Sequence, residues 1–290
     1  MTTTAPLVGL DEALRTKLDA VQTRLRGLES TLVALSGGAD SALVVALARR
    51  TLGARVEAAM GVSPAYPEEE LASARAICEL LDVHLHEVPT GQLEDAAFLL
   101  NDGQRCYQCR EDLYAVLGPL AAVWGLSTIC DGTNADDLGD LRPGRRAARQ
   151  AGVISPLAEA GITKAEVRAV SQALGLPTWN KPQQACLSSR IPHGTPITLD
   201  ALRRVEKAER WLRQQGFRQL RVREHGDVAR VELPEEDIAR LATEPLRSHC
   251  VEALRSLGYA FVSLDLEPFA TGKLNRIKAP AVPDDSAADP

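Results

Sequence analysis

The segment with the clearest chemical content is Ser-Gly-Gly-Ala-Asp-Ser at positions 36–41, which follows an apolar run at 31–35. The apolar run predicts a buried parallel strand, and the apolar residues after position 41 predict a helix that begins at this turn. Two glycines that can adopt a positive φ let backbone N–H groups close on an anion, and the helix N-terminus adds further donors. We therefore expect a phosphate-binding loop rather than an ordinary glycine turn, with the ligands Ser36, Gly37, Gly38, Asp40 and Ser41.

This loop lacks the Gly-Lys-Ser/Thr sequence of a Walker A motif. It resembles instead the PP-loop of the ATP pyrophosphatase (adenylating) superfamily. That resemblance implies that ATP is cleaved between its α and β phosphates, which leaves AMP on a substrate. A Mg²⁺ ion would offset the phosphate charge, and Asp40 is the expected ligand, with Asp131 as a weaker candidate. A charge at the helix N-terminus is the other role open to Asp40.

The elements that must position this loop alternate between strand and helix. Strands are predicted at 31–35, 56–62, 83–88 and 127–131, with helices at 10–28, from 40, at 68–81 and at about 109–124 after a polar loop. This order predicts an α/β fold with a doubly wound parallel sheet, in which ligands bind beyond the carboxyl ends of the strands. Because 36–38 and 131–134 both follow strands, we expect them to line one crevice, with Asp131 and Thr133 as further nucleotide ligands.

The pattern changes after position 192. A charged amphipathic helix at 198–215 is followed by short strands at 219–224 and 228–233, which a hairpin turn joins. Helices at 235–243 and 245–257 and a strand at 259–264 complete a small α+β unit. We therefore predict a PP-loop domain at 1–190, a substrate or oligomerisation domain at 198–267 and a disordered tail at 268–290.

Composition limits the class of protein. The chain has 290 residues, of which 45% are hydrophobic and 25% charged, with a formal net charge of −6. These values are typical of a soluble globular protein and argue against a general nucleic-acid binder, which needs a basic surface. Neither a transmembrane stretch nor a signal-peptide core is present in the sequence, so we expect a cytoplasmic protein. Six cysteines in that compartment indicate metal or catalytic use of some of them rather than disulfides.

Four further segments match one family in order. They are Arg-Cys-Tyr-Gln-Cys at 105–109, Asp-Gly-Thr-Asn-Ala-Asp-Asp at 131–137 with 139–144, Trp-Asn-Lys-Pro at 179–182 with 185–195, and Arg-Val-Arg at 221–223 with Glu232. Over residues 10–267 the chain resembles the LarE family of ATP-dependent sulfur transferases. The resemblance implies conversion of pyridinium-3,5-biscarboxylic acid mononucleotide to its bis-thiocarboxylate, the organic part of the nickel-pincer nucleotide cofactor of lactate racemase. It also implies a small-molecule nucleotide substrate, a homo-oligomer and other nickel-pincer biosynthesis proteins as partners.

Within this resemblance Cys186 is the sulfur nucleophile. A carboxylate is a poor electrophile, and its adenylation supplies the leaving group that attack by a thiolate requires. Because a free thiol is mostly protonated at neutral pH, nearby cations would help, and Lys181, Arg190 and His193 are close in the sequence. In sacrificial members of the family this cysteine gives up its own sulfur and becomes dehydroalanine. A buried packing cysteine is the alternative for Cys186.

Cys106 and Cys109 form a CxxC pair that a sacrificial enzyme does not need. Within the family, some members carry this pair together with the nucleophile cysteine, and the three are thought to hold a [4Fe-4S] cluster. Thiolates are the ligands such a cluster requires, so we expect the cluster type with Cys106, Cys109 and Cys186 as ligands. An incidental pair, a zinc site and a redox dithiol are the alternatives for the pair. Cys78, Cys130 and Cys250 are expected to be buried and structural.

Arg221 and Arg223 lie two apart on a predicted strand and share a face, where forked donors can grip a phosphate. By resemblance they bind the phosphate of the substrate, with Glu209 and Glu232 as orienting groups or metal ligands. One of Arg142, Arg145 and Arg146 is expected near the nucleotide or the substrate carboxylate. Trp179 and Tyr107 are candidates for stacking on an aromatic ring, or for packing in the core.

Three other functions compete with sulfur transfer to a small molecule. An amidating ligase of the same superfamily uses ammonia and leaves Cys186 unexplained. A tRNA-thiolating enzyme also combines adenylation with cysteine sulfur, but it requires a basic RNA-binding surface, whereas this chain is acidic and only 4% aromatic. A non-catalytic nucleotide sensor would keep the nucleotide pocket without releasing pyrophosphate.

Overall fold

The computed structural model describes residues 10–139 and 143–276. Two compact units divide the chain: the first comprises the chain up to residue 92 together with 106–184, and the second comprises 93–105 together with the chain from 185. The predicted domain boundary at 190 places Cys186 in the first domain, whereas in the structure the segment that carries Cys186 belongs to the second unit. The short stretch at 93–105 also belongs to the second unit.

The first unit contains a parallel four-stranded sheet, which confirms the predicted fold class. Its strand order is β3-β2-β1-β4. The strands are β1 (Thr31–Ala34), β2 (Val56–Val62), β3 (Leu85–Pro89) and β4 (Ile129–Cys130). The helices up to residue 173 are α1 (Glu12–Arg26), α2 (Ala39–Leu52), α3 (Glu68–Leu81), α4 (Ala96–Leu99, in the second unit), α5 (Arg105–Val123), α6 (Pro143–Gln150), α7 (Pro156–Glu159) and α8 (Lys164–Ala173).

Helices cover both faces of this sheet. α2 is buried around most of its circumference and packs with α1, α3 and α8 in the larger core. The opposite face is covered by α5, whose Leu117 and Ala121 pack against Leu32 of β1 and Ala59 of β2. Because both faces are covered, the central strand β1 is buried and mostly apolar rather than alternating, whereas the edge strand β3 carries His86 and Glu87.

Among the predicted boundaries that differ from the structure, two have a clear physical cause. The third strand begins at Leu85 rather than Val83, because the N–H of Val83 bonds to the Cys78 carbonyl and so closes α3, with Asp82 in the left-handed conformation (φ 53°). The last residues before the predicted helix start at about 109 are helical rather than part of a polar loop. α5 begins at Arg105, since no proline or glycine interrupts the chain between Gly103 and Gly118.

The second unit is built on a three-stranded mixed sheet of order β5-β6-β7. β5 (Arg221–His225) and β6 (Val228–Glu232) form the predicted antiparallel hairpin, and β7 (Phe261–Leu264) pairs with β6 in parallel. α9 (Leu199–Gln214), α10 (Glu235–Ala242) and α11 (Leu246–Ser256) complete the predicted α+β arrangement. Their apolar faces enclose a core that includes Leu212, Phe217 and Val222.

Residues 268–276, which belong to the predicted tail, pack onto this unit. The N–H of Phe269 bonds to the Leu233 carbonyl, and the buried ammonium of Lys273 pairs with Asp265 at 2.8 Å. The rest of the predicted tail lies outside the described residues. Within the described ranges, no helix is both long and apolar enough to span a bilayer.

Candidate active site

The phosphate loop joins β1 to α2 as predicted, but only one of its two glycines uses a positive φ. Gly37 has φ 76°, and a Cβ atom there would overlap the carbonyl of Glu70 on α3. Gly38 is extended (φ −86°) and forms the N-cap of α2. Because Gly38 provides no side-chain cap, the first N–H groups of α2 remain available to an anion.

Two serines close the loop on itself. The hydroxyl of Ser41 accepts a hydrogen bond from the Ser36 N–H at 3.1 Å, and the two hydroxyl oxygens lie 3.1 Å apart. From outside, the ammonium of Lys181 donates to the Gly37 carbonyl at 2.9 Å and pairs with Glu70 at 2.9 Å. The loop backbone is therefore fixed from both sides before any nucleotide binds.

A cavity of about 440 Å³ opens at the carboxyl ends of β1 and β4, a size that suits a small-molecule ligand. It brings together the phosphate loop and the segment after β4, which the sequence placed in one crevice. The predicted ligands that line it are Ser36, Gly38, Asp40, Ser41, Asp131 and Thr133. Gly132 explains how closely the two segments approach, because a Cβ atom there would lie 2.5 Å from the Ser41 nitrogen.

Asp131 organises the wall of this cavity. Its Oδ1 accepts bonds from the Thr133 N–H at 3.1 Å and the Ser155 hydroxyl at 2.7 Å, and its Oδ2 accepts the Thr133 hydroxyl at 2.7 Å. The Tyr114 hydroxyl and the Arg110 guanidinium approach the same Oδ2 at 3.4 and 3.5 Å. With its oxygens engaged in this way, Asp131 holds its neighbours in place.

Arg110 and Tyr114 lie one turn apart on α5 and were not singled out by the sequence analysis. Burial alone would lower the pKa of Arg110, but the negative potential of Tyr114, Asp131, Tyr66 and Cys109 raises it. Arg110 is therefore a fixed positive charge that lines the cavity.

Asp40 lies in the first turn of α2, where its carboxylate faces the cavity. It forms an ion pair with Lys164 and accepts a bond from the Asn134 amide at 3.3 Å. Lys164 is the first residue of α8, directly after the N-cap Thr163, which forms a capping box with Glu166. That capping signal was available in the sequence and predicts a helix that starts at Lys164, but it does not predict the position of this lysine beside the phosphate loop. Asp40 and Lys164 together offer a carboxylate for a cation and an ammonium for phosphate oxygens.

The CxxC pair occupies the first turn of α5. Cys106 is exposed, whereas Cys109 is half-buried and its sulfur lies 3.1 Å from the Tyr66 hydroxyl and 3.0 Å from the Gln92 side-chain nitrogen. The buried Gln92 is oriented in turn by the Ser63 hydroxyl at 2.8 Å. Neither cysteine forms a disulfide, and thiol sulfur is a ligand that suits a soft metal or cluster. In the described part of the chain, no three His, Cys, Asp or Glu side chains already converge on a metal-binding position.

In the second unit, Cys186 is half-buried and free, directly before the 3₁₀ turn Leu187–Arg190. Of the cations expected to assist it, Arg190 donates to the backbone carbonyls of Ala185 and Cys186, at 2.5 and 2.9 Å, and pairs with Glu209. The guanidinium of Arg190 thus fixes the backbone that carries the thiol.

The four predicted phosphate-site residues form part of a buried ionic cluster in the second unit. Glu209 and Glu232 are fully buried, and each pairs with two arginines. Arg223 donates to Glu232 at 2.6 Å and to the Ser189 carbonyl at 3.0 Å. Arg221 donates to the Leu220 carbonyl at 2.7 Å and lies over the Phe269 ring.

This cluster contains more cations than anions. Burial lowers the pKa of Arg221 to about 9, with repulsion from Arg190 adding to the effect and attraction by Glu209 opposing it. A guanidinium in this position is still protonated at neutral pH, and an added anion would relieve the repulsion. Glu209 and Glu232 are therefore internal counter-ions in this structure, and the surplus positive charge is what a phosphate would meet.

The remaining predictions concern side chains around these sites. Cys78, Cys130 and Cys250 are buried as expected, and burial raises the pKa of each thiol to about 11. Arg145 donates to backbone carbonyls at 137 and 138, and Arg146 covers the ring of Tyr107, whereas Arg142 lies outside the described residues.

Comparison with known proteins agrees with this geometry. The asparagine synthase family model matches residues 11–107, which include the phosphate loop. An uncharacterised protein of Synechocystis sp. is 42% identical over 264 residues, 91% of this chain and 98% of that protein. The pyridinium-3,5-bisthiocarboxylic acid mononucleotide synthase of Lactiplantibacillus plantarum is 37% identical over 263 residues, 90% of this chain and 95% of the synthase. On this similarity over nearly the whole length, the chain belongs to the LarE family, within the ATP-using PP-loop enzymes.

Proposed function

We propose that this enzyme is an ATP-dependent sulfur transferase, which adenylates the carboxylates of pyridinium-3,5-biscarboxylic acid mononucleotide and converts them to thiocarboxylates. The product is the organic precursor of the nickel-pincer nucleotide cofactor. The observation that carries the proposal is the cavity at the ends of β1 and β4, where a phosphate loop, Asp40 and Lys164 come together. The named synthase to which the chain is similar supports the substrate class.

Adenylation follows from the groups in that cavity. A substrate carboxylate oxygen attacks the α-phosphorus of ATP, the bond from that phosphorus to the bridging oxygen breaks, and pyrophosphate leaves. The backbone of the phosphate loop and the ammonium of Lys164 would stabilise the charge that builds up on the phosphates. Mg²⁺, which Asp40 would hold, neutralises part of the triphosphate charge when it is bound.

The substrate's own phosphate needs a second anion site. The surplus positive charge around Arg221 and Arg223 supports the assignment of that phosphate to the second unit. Arg223 would donate to the phosphate through its remaining N–H groups while it keeps its bonds to Glu232 and to the Ser189 carbonyl. In this assignment Glu209 and Glu232 orient the arginines rather than touch the substrate.

Sulfur delivery requires Cys186 and, in our proposal, the CxxC pair. The thiols of Cys106, Cys109 and Cys186 would hold a [4Fe-4S] cluster, which supplies an iron site for an additional sulfide. Thiolates are the ligands such a cluster prefers, and hydrogen bonds like those from Tyr66 and Gln92 to Cys109 are a means of tuning it.

The alternative route needs no cluster. The Cys186 thiolate attacks the adenylated carboxyl carbon, AMP leaves, and a thioester forms. A general base then removes the Cα proton of Cys186, its electron pair forms the Cα–Cβ double bond, and the Cβ–S bond breaks. The sulfur stays on the product and dehydroalanine remains at position 186. A tRNA-thiolating enzyme is a further alternative, which the acidic composition disfavours.

One experiment tests the activity and separates the two routes. The protein is purified without oxygen, analysed for iron and acid-labile sulfide beside Cys106→Ala, and incubated with ATP, Mg²⁺ and the dicarboxylate mononucleotide. We expect pyrophosphate release and a product in which sulfur replaces carboxylate oxygen. About four irons per chain, lost in the variant, support the cluster route. Iron-free active protein whose mass falls by one hydrogen sulfide supports the sacrificial route, and no sulfur in the product in either case contradicts the proposed function.

A further inference from the structure

Asn101 holds the loop that follows Cys186 through the loop's backbone. In the second unit its side-chain amide nitrogen donates to the carbonyls of Ile191, Pro192 and Thr195 at 3.2, 2.8 and 3.0 Å. The backbone carbonyl of Asn101 accepts a bond from the Gly194 N–H at 3.1 Å. Asn101 is fully buried and has φ 55°, a left-handed conformation that asparagine tolerates better than most residues.

Arg105 extends this contact to the part of the loop nearest Cys186. Its guanidinium donates to the Ser188 carbonyl at 3.0 Å and to the side-chain oxygen of Asn101. Arg105 is only 7% exposed, and among residues 10–139 and 143–276 no carboxylate forms an ion pair with it. Burying a positive charge whose partners are all neutral oxygens costs free energy. Such an arrangement therefore contributes little to the stability of the fold by itself.

Arg190 and Arg105 differ in how their positive charges are compensated. Arg190 supports the same loop but pairs with the buried carboxylate of Glu209, so its charge is compensated inside the fold. Arg105 brings to the loop a positive charge that no carboxylate of the described residues compensates. The short stretch at 93–105 therefore provides both the geometry and the electrostatic environment of the loop that carries the sulfur.

We propose that Asn101 and Arg105 are positioning residues for the sulfur-transfer step at Cys186. They act through the backbone of residues 186–195, and they hold that segment in one conformation whether Cys186 is a cluster ligand or a nucleophile. Transfer of sulfur to an activated carboxyl carbon depends on placing the sulfur within a fraction of an ångström, which an unsupported loop does not achieve. The role in sulfur transfer rests on the proposed function, whereas the hydrogen bonds of Asn101 and Arg105 are independent of it.

The test uses four variants of the full chain. Asn101→Asp keeps the shape, the tolerance for φ 55° and an acceptor for Arg105, but it removes the two N–H donors that the three carbonyls share. Arg105→Gln removes the charge, and Arg105→Lys restores it without the forked geometry. Gln104→Glu makes the same amide-to-carboxylate change at an exposed neighbour and is the matched control. Hydrogen exchange of residues 186–195, pyrophosphate release and sulfur transfer per folded molecule are measured for each.

We expect exchange of residues 186–195 to accelerate about tenfold in Asn101→Asp and Arg105→Gln, with little change in Gln104→Glu. Sulfur transfer should fall by about tenfold or more while pyrophosphate release stays within about twofold of wild type, and Arg105→Lys should recover part of the loss. Unchanged exchange, or faster exchange with normal sulfur transfer per folded molecule, would overturn the proposal. So would loss of protection throughout the second unit in both variants, which indicates a role in folding alone. If the wild type transfers no sulfur, the proposed function fails, and the exchange data still decide whether the loop is held as described.

Discussion

The guanidinium of Arg190 and the carboxylate of Glu209 form a bidentate ion pair, with both N–O distances at 2.8 Å and neither side chain exposed to solvent. Burial alone would raise the pKa of Glu209. The attraction and hydrogen bonds of Arg190, with Arg221 and Arg213 nearby, instead lower it from 4.5 to about 2. The second unit therefore depends on this carboxylate being ionised.

The first prediction concerns acid stability. The lowered pKa of Glu209 stabilises the folded state by on the order of 3 kcal/mol. This contribution is complete above about pH 4.5 and is lost as the pH falls toward 2. Glu209→Gln leaves Arg190 uncompensated and should cost about 3–5 kcal/mol at pH 7. Unfolding by urea at pH 7 and pH 3 should show a smaller loss between the two pH values in the variant than in wild type. The exposed Glu252→Gln is the control, and equal losses in Glu209→Gln and wild type would contradict the assignment.

The second prediction concerns the close approach of the phosphate loop to α3. Gly37→Ala introduces a Cβ that overlaps the Glu70 carbonyl at φ 76°, so we expect a destabilisation of about 2–4 kcal/mol and loss of ATP binding. Gly125→Ala is the matched control, because Gly125 has φ 71° and open space around its Cβ position. It should lose only about 1–2 kcal/mol and retain ATP binding. Calorimetric titration with ATP and thermal unfolding measure both effects, and tight ATP binding by Gly37→Ala would show that the loop can move away from α3.

The third prediction concerns Asp40. Asp40→Asn removes the charge that would hold Mg²⁺ and releases Lys164 from its ion pair, so pyrophosphate release should slow by about 100-fold. The variant should also require a higher Mg²⁺ concentration for its remaining activity. Asp19→Asn, at an exposed position of α1, should behave as wild type. Normal release at low Mg²⁺ would exclude Asp40 as the metal ligand.

The fourth prediction separates the two half-reactions at Cys186. Cys186→Ala should abolish sulfur transfer while adenylation continues, because the phosphate loop and Asp40 belong to the other unit. The adenylated substrate should then accumulate and be detectable by mass spectrometry after a quench. Cys250→Ala, a buried cysteine of the same unit, is the control for general effects of removing a thiol. Loss of pyrophosphate release together with sulfur transfer would count against a role for Cys186 confined to the second step.

The sequence was informative where one local rule decided the structure. The apolar run at 31–34, the glycine turn and the apolar helix after it reinforce one another, so the first strand, loop and helix were predicted correctly. The hairpin at 221–232 followed from alternation around a glycine turn in the same way. The burial of Cys78, Cys130 and Cys250 followed from their apolar neighbours.

The sequence was less informative about contacts between residues that lie far apart along the chain. Lys164 is 124 residues from Asp40, and Asn101 is 90 residues from Ile191, so no periodicity or spacing links them. The sequence analysis predicted Arg221 and Arg223 as phosphate ligands with Glu209 and Glu232 beside them. The ion pairs that the two glutamates form with arginines depend on how α9 packs on the hairpin. A polar sequence such as 105–109 is equally compatible with loop and helix, because surface helices need not be apolar there.

Helix α5 carries Cys109, Arg110 and Tyr114 within two turns of one another. Since a helix moves as a nearly rigid rod, any displacement of the α5 backbone at Arg110 also displaces Cys109. One rigid element therefore carries both the thiol at position 109 and a positive charge that lines the cavity.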